Sequence, residues 1–232
     1  SGNGGFEMMV FAPATVQEAV DMTYKAFDYA DRDRNPVLIL ADGVIGTMME
    51  PVVLPEMKSD EEVAAIKASK QSWACVGHAL DYAHRSWIQP GQWSTVRMQE
   101  ANEDAAALYA SWEKDVQVEE YRLEDAELVM TAYGISARIC KSSVDLLRAQ
   151  GIKAGLIRIT LHPFPYKAYD HIDYSRVKAV LDVEMSIPAQ FVTDVAAGVK
   201  DRCPIETCLC SGGNIMSRDK VLDAAKKIME GK

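Results

Sequence analysis

From Ala126 to the end, the chain alternates strand-like and helix-like runs, and this alternation limits the possible folds more than any single motif does. "AELVMTAYG" (Ala126 to Gly134) reads as a strand ending on Gly, and "ISARICKSSVDLLRAQG" (Ile135 to Gly151) as a helix closed by Gly at its C′ position. "IKAGLIRI" (Ile152 to Ile159) gives the next strand, "TLHPFPY" a rigid turn, and "VKAVLDVEM" (Val177 to Met185) a third strand. "IPAQFVTDVAAGVK" returns as a helix, and "ETCLCSGG" with "SRDKVLDAAKKIMEGK" repeats the strand, glycine turn and helix order. Strands separated by helices predict an α/β unit: a mainly parallel sheet covered on both faces, a three-layer αβα sandwich.

The amino-terminal part carries one β-α-β unit. "EMMVFAP" (Glu7 to Pro13) is a short apolar strand stopped by Pro. Thr15 and Glu18 have capping-box spacing, with Thr15 as N-cap and Glu18 reaching back. Val16, Ala19, Val20, Thr23, Ala26, Phe27 and Ala30 follow at helical spacing and predict one apolar face. "DRDRN" (Asp31 to Asn35) should end the helix as a solvated charge run, and "PVLIL" reads as a strand buried on both faces. Two strands and a helix bury too little apolar surface to offset chain entropy, so more sheet should lie beside them. The opening "SGNGGFEMMVFAPAT" has no initiator Met and no signal-type segment, as expected of a chain that starts within a domain.

Between these units lies a region read as mostly helical. "PVVLPEM" is extended, and "SDEEVAAIKA" (Ser59 to Ala68) opens with a Ser N-cap and acids in the first turn. The run from Met98 to Glu127 is acidic and reads as a long helix, with Ala101, Ala105, Leu108 and Trp112 on one face. No internal repeat is present.

The 25 basic and 34 acidic residues give a net charge of -9, without a basic stripe, which argues against nucleic acid or an anionic membrane as partner. No apolar run approaches the roughly 18 residues of a membrane span. The 5 Cys are odd in number and scattered, so reduced thiols in a cytoplasm are expected rather than a disulfide framework.

Little in the chain has the form of a self-sufficient active site. Cys203, Cys208 and Cys210 match neither a zinc ribbon nor a ferredoxin run and read as ordinary thiols. His78 and His84 are six apart and do not share a helical face; His162 and His171 lie in turns and read as solvated or core histidines. No metal ligands are assigned. Two glycine turns precede helices, Tyr133-Gly134 with Arg138 beyond, and Gly212-Gly213; each could hold an anion on backbone N–H groups or be a plain turn. Asp42, Glu50 and Glu184 lie at or just past strand ends, where α/β sheets place ligands. Asp42-Gly43 is equally readable as a turn, and Glu184 as a loop anchor.

Three stretches resemble one family. "FAPATVQEAVDMTYKAFDYADRDRNPVLILADGVIGTMMEPV" is similar to the latter half of the pyrimidine-binding domain of 2-oxoacid:ferredoxin oxidoreductases. "MTAYGISARICKSSVDLLRAQGIKAGLIRITLHPFP" and "VKAVLDVEMSIPAQFVTDV" resemble the next domain of the same subunit, which is like the carboxy-terminal domain of transketolases. The "DG-x-IG-x-MMEP" run looks most like the α-type subunit that prefers branched-chain, 2-ketoisovalerate-like substrates. The resemblance implies half of a pyrimidine-binding domain over residues 1–55, a helical connector over 56–125 and a transketolase C-terminal-like domain over 126–232.

It also implies chemistry that belongs to a larger complex. The family decarboxylates a 2-oxoacid oxidatively on thiamine diphosphate, passes the acyl group to coenzyme A and sends electrons through iron–sulfur clusters to ferredoxin. The activating glutamate belongs to a segment that nothing here matches, so no catalytic residue is carried over. The diphosphate with its Mg2+ is expected on a β subunit and the clusters on γ and ferredoxin-like subunits, with none of these groups bound to this stretch alone. Asp42, Gly43 and Glu50 are then expected to wall the thiamine region, with Tyr133, Gly134, Arg138, Glu184, Gly212 and Gly213 as further loop candidates. A departure lies at Cys210-Ser211-Gly212-Gly213, where relatives often have a Gly-Arg-x-Gly-Gly type turn. The alternatives are a non-catalytic interaction domain of the same fold, or a transketolase-like or dehydrogenase E1-like component.

Overall fold

The computed structural model describes residues 5–74, 94–160 and 162–231. Cys75, His78 and His84 lie outside them. The first unit is a parallel pair of strands, β1 (Met9–Phe11) and β2 (Val37–Ile39), joined by helix α1 (Val16–Asp33). Thr15 caps α1 by accepting the Glu18 N–H at 3.1 Å. The capping box is incomplete: Glu18 reaches past Thr15 to the Ala14 N–H, at 2.9 Å.

Three expectations for this unit are corrected. Along α1, Met22 is buried, whereas Thr23 and Phe27 are exposed, Phe27 at 70%. The apolar residues form two stripes, and the one holding Met22 and Tyr29 faces the strands. β2 is covered on one face only, since Leu38 and Leu40 are about two-fifths exposed. The charge run at the end of α1 is also not simply solvated. Asp33 accepts from Trp112 Nε1 at 2.8 Å, and Arg32 bridges Asp33 at 2.7 Å and Asp115 at 2.8 Å.

A short helix α2 (Gly43–Thr47) follows β2, and residues 50–58 then run back along α1 as an extended strap. The Gln17 side-chain amide donates to Val53 O at 2.9 Å and accepts Val53 N–H at 2.7 Å, and Tyr24 Oη donates to Glu56 O at 3.1 Å. Helix α3 (Asp60–Ser69) begins with a complete Ser59–Glu62 capping box. Helix α4 (Thr95–Ser111) passes into a 3-10 turn, Trp112–Asp115, and delivers Trp112 into a core of Met9, Phe11 and Met22.

The helical reading of residues 98–127 ends there. Val118–Tyr121 form strand β3, paired antiparallel with β5 (Ala154–Ile159) at the edge of the second sheet. That sheet has the order β3-β5-β4-β6-β7, with β4 (Leu128–Ala132), β6 (Ala179–Glu184) and β7 (Ile205–Leu209), all parallel apart from β3. Helices α5 (Gly134–Ala149) and α7 (Arg218–Glu230) cover one face. Helix α6 (Val192–Val199) and a 3-10 turn at Tyr166–His171 cover the other. The strands β4 and β6 are buried along their whole length, as a parallel sheet between two helix layers requires.

The two units are bonded directly. Val10 and His162 exchange backbone hydrogen bonds at 3.0 and 3.1 Å. Arg158 of β5 forms ion pairs with Glu18 of α1 and with Glu119 of β3. The two turn histidines have carboxylate partners rather than solvent alone: His162 meets Glu7 at 3.1 Å and His171 meets Glu120 at 2.7 Å.

Candidate functional site

The end of β2 meets the start of α5. Asp42 follows β2 and caps α2: its Oδ1 accepts the N–H of Val44 at 3.0 Å and of Ile45 at 2.9 Å. Its Oδ2 turns the other way and accepts the Ile135 N–H at 3.0 Å. One carboxylate thus satisfies the first free N–H groups of two helices, where a negative charge is also favoured by the helix dipoles.

Gly134 makes this approach possible. Its φ is +56°, and a Cβ there would stand 3.1 Å from Asp42 Oδ2. Both backbone conformation and space therefore call for glycine at the β4–α5 turn. Gly43, by contrast, has open space around it and no positive φ, so its place at the start of α2 makes no such demand.

Glu50 closes the same junction from the strap. It pairs with Arg138 of α5 at 2.7 Å and accepts the Val16 N–H at 3.3 Å. The Arg138 guanidinium and the Val16 N–H hold the Glu50 carboxyl below the usual range. Tyr133 stands one residue before the glycine, half-buried, with its ring edge-on to Phe191 at 5.2 Å. Burial, with the nearby charges of Glu184, Asp182 and Asp42, raises its phenol above the ordinary value.

Glu184, at the carboxyl end of β6, anchors a loop: its two oxygens accept the N–H groups of Gln190 at 2.9 Å and Phe191 at 3.2 Å. The structure therefore joins Asp42, Gly43, Glu50, Tyr133, Gly134 and Arg138 in one junction, with Glu184 reaching it through Phe191. Gly212 and Gly213 stand apart, at φ +68° and +84° in the turn after β7. Two strand spacings, roughly 10 Å, separate the ends of β4 and β7. That turn is closed on itself by Asn214 and Ser211, with Asn214 Nδ2 donating to Ser211 O at 2.8 Å.

The thiols are structural. Cys140, Cys208 and Cys210 are buried, and burial pushes each above the ordinary thiol range. Among the described residues no group of three His, Cys, Asp or Glu side chains is placed to hold a metal ion. No described helix is long and apolar enough to cross a membrane. A separate cleft of about 280 Å³ between α1 and β5 is lined by Glu18, Asp21, Lys25, Glu119 and Arg158, among others. Three of those charges, Glu18, Glu119 and Arg158, are already paired with one another.

Sequence reasoning missed Asp182. It is fully buried in the middle of β6, and the signal was a charge within the apolar run "AVLDVE".

A β-α-β unit is bonded here to an αβα sandwich, and family models match both parts of the chain. Residues 4–131 match the thiamine diphosphate-binding domain of pyruvate flavodoxin/ferredoxin oxidoreductases, and residues 126–221 match core domain II of pyruvate:ferredoxin oxidoreductase. The chain belongs to the pyruvate flavodoxin/ferredoxin oxidoreductase family.

Within it, the chain is 38% identical to the ketoisovalerate oxidoreductase subunit VorB of Methanothermobacter marburgensis, over 99% of this chain and 62% of that protein. It is 36% identical to the VorB subunit of Methanothermobacter thermautotrophicus, over 98% of this chain and again 62% of the relative. The chain thus spans less than two thirds of the length of these relatives. Its fold matches 2-oxoglutarate:ferredoxin oxidoreductase from Magnetococcus marinus with a TM-score of 0.72 at 16% identity, covering 98% of this chain and 43% of that one.

Proposed function

We propose that this chain is part of the α-type subunit of a thiamine diphosphate-dependent 2-oxoacid:ferredoxin oxidoreductase acting on branched-chain 2-oxoacids such as 2-ketoisovalerate. The observation that carries this reading is the similarity to VorB subunits along nearly the whole chain. In this reading residues 1–55 belong to the pyrimidine-binding domain, 56–125 link it onward, and 126–232 form the transketolase C-terminal-like domain. The whole enzyme would form acyl-CoA and pass electrons to ferredoxin, with partner subunits supplying the diphosphate site, Mg2+ and iron–sulfur clusters.

The residues at the Asp42 junction do not by themselves fit thiamine diphosphate. The oxygens of Asp42 are engaged by three backbone N–H groups, and those of Glu50 by Arg138 and Val16. No catalytic step is therefore assigned to them. Their part in this reading is to fix β2's end against α5 so that the loop presents a rigid wall to the cofactor region, with Tyr133 beside it. The Tyr133 hydroxyl makes no hydrogen bond to a described residue, which leaves it available to a bound group.

The test is viologen-dye reduction by the full-length chain assembled with its partner subunits, given coenzyme A and, in turn, 2-ketoisovalerate, pyruvate and 2-oxoglutarate. Highest kcat/KM on 2-ketoisovalerate is expected. Preference for pyruvate or 2-oxoglutarate would overturn the substrate branch, and no thiamine-dependent turnover on any of the three would overturn the enzyme reading.

A further inference from the structure

Asp182 has no exposed surface, and among the described residues no donor meets either of its carboxyl oxygens. It is central in the sheet, level with Thr131 of β4 and Thr207 of β7. Thr131 shares its hydroxyl with Tyr169 Oη, 2.6 Å away. An ionised carboxylate buried without donors is strongly disfavoured, and such a group keeps its proton instead.

The groups around Asp182 offer no counter-charge. Glu184 lies two residues on along the same strand face. Tyr133, Tyr169, Cys140 and Cys208 all sense the Asp182 charge, and each is neutral at pH 7. No basic group among the described residues acts on Asp182. Two carboxyls with no third ligand among the described residues suit a shared proton better than a divalent cation.

Glu184 is the natural acceptor. Its two oxygens already accept the N–H groups of Gln190 and Phe191, which fixes the carboxyl group in place beside Asp182. We propose that Asp182 carries a proton at neutral pH and donates it to the Glu184 carboxylate, so that the two acids act as one pair holding the α6 entry loop and Phe191 against Tyr133. Asp182 is then a positioning residue: it touches no ligand and acts through Glu184. Burial first, then repulsion from Glu184 and the hydrogen bond to it, push Asp182 up to about 8.

The sign of the pH effect follows. The unfolded Asp182 ionises near the ordinary 3.8, whereas the folded one stays protonated up to about 8. Its stabilising contribution is complete below the lower value, falls as pH rises between the two, and is gone above the upper one.

The experiment pairs infrared difference spectroscopy with thermal melts of the full-length subunit and its Asp182→Asn variant. A protonated-carboxyl stretch should be present at pH 7, titrate away near pH 8 and be missing in Asp182→Asn. The Asn variant should gain on the wild type by several degrees in Tm from pH 4 to 8, and the gap should stop growing above that. Should Asp182→Asn fail to fold, Glu184→Gln replaces it: removing the neighbouring charge should move the wild-type carboxyl titration to lower pH. Absence of a protonated carboxyl at pH 7 overturns the proposal. So does an Asn variant that tracks the wild type at every pH, or a titration unmoved by Glu184→Gln.

Discussion

Asp42 Oδ2 accepts the backbone N–H of Ile135 at 3.0 Å, across 93 residues of chain, and so locks the end of the first unit's second strand onto the first turn of α5. Asp42→Ala removes this bond and the α2 cap together and should lower the unfolding free energy by about 1–2 kcal/mol. Gly134→Ala forces a side chain into a left-handed conformation, at a cost of about 1–2 kcal/mol, and pushes on the same carboxylate. Urea melts of the two single variants and the double variant should show a combined loss smaller than their sum, because the clash disappears with the Asp42 side chain.

Tyr133 separates packing from chemistry. Its hydroxyl is unbonded within the described residues, so Tyr133→Phe should melt within about 0.5 kcal/mol of the wild type. Tyr133→Ala loses the edge-on contact with Phe191 and should cost about 2–3 kcal/mol. If Tyr133→Phe in the assembled enzyme lowers turnover while stability is unchanged, the hydroxyl serves the reaction; equal turnover restricts Tyr133 to packing.

Acid should release the clamp between α1 and the end of α4. Arg32 beside Asp33, assisted by Trp112, holds the Asp33 carboxyl below its ordinary value of 3.8. A depressed folded value stabilises above 3.8 and is lost as pH falls through the still lower folded value. Arg32→Ala should therefore destabilise by about 1 kcal/mol at pH 7, a figure reduced for the partial exposure of Arg32, and by much less near pH 2. Equal losses at both pH values in chemical-denaturation curves would contradict the ion-pair account.

Thiol labelling should follow burial. Among Cys140, Cys203, Cys208 and Cys210, Cys203 is only half-buried and should be alkylated first by iodoacetamide at pH 7.5, with the other three protected until denaturant is added. Peptide mass spectrometry reads the order, and early labelling of Cys140 would contradict the packing described.

How much the sequence disclosed depended on how many neighbours an element needs. α5 and its Gly151 stop were legible because periodicity and capping are local, and Gly151 indeed has φ +84°. The core strands β4 and β6 were legible because burial on both faces leaves a mostly apolar run, interrupted in β4 by Thr131 and in β6 by Asp182. β3 was not: "VEEY" pairs only by its antiparallel edge, its Glu119 is held by Arg158 and Lys141 and its Glu120 by His171 from other elements, and a strong helix pattern precedes it. The face of α1 was misread because two apolar stripes satisfy the same period, and only the position of Met9, Phe11 and Trp112 decides between them. Asp42 and Glu50 were found from their place at or past strand ends, and Tyr133 and Arg138 from the glycine turn before α5, but the pairing of Asp42 with Ile135, Glu50 with Arg138 and Tyr133 with Phe191 comes from tertiary contact. Asp182 was passed over, although an acid within a buried strand was itself the signal.

The most direct test of the Asp42 junction as a wall of the cofactor region is the affinity of the assembled enzyme for thiamine diphosphate. It should be measured by calorimetry for the wild type, Asp42→Ala and the distant Arg32→Ala control. The account predicts at least tenfold weaker binding, about 1.4 kcal/mol, for Asp42→Ala and wild-type affinity for Arg32→Ala. Equal affinity in all three proteins would contradict it.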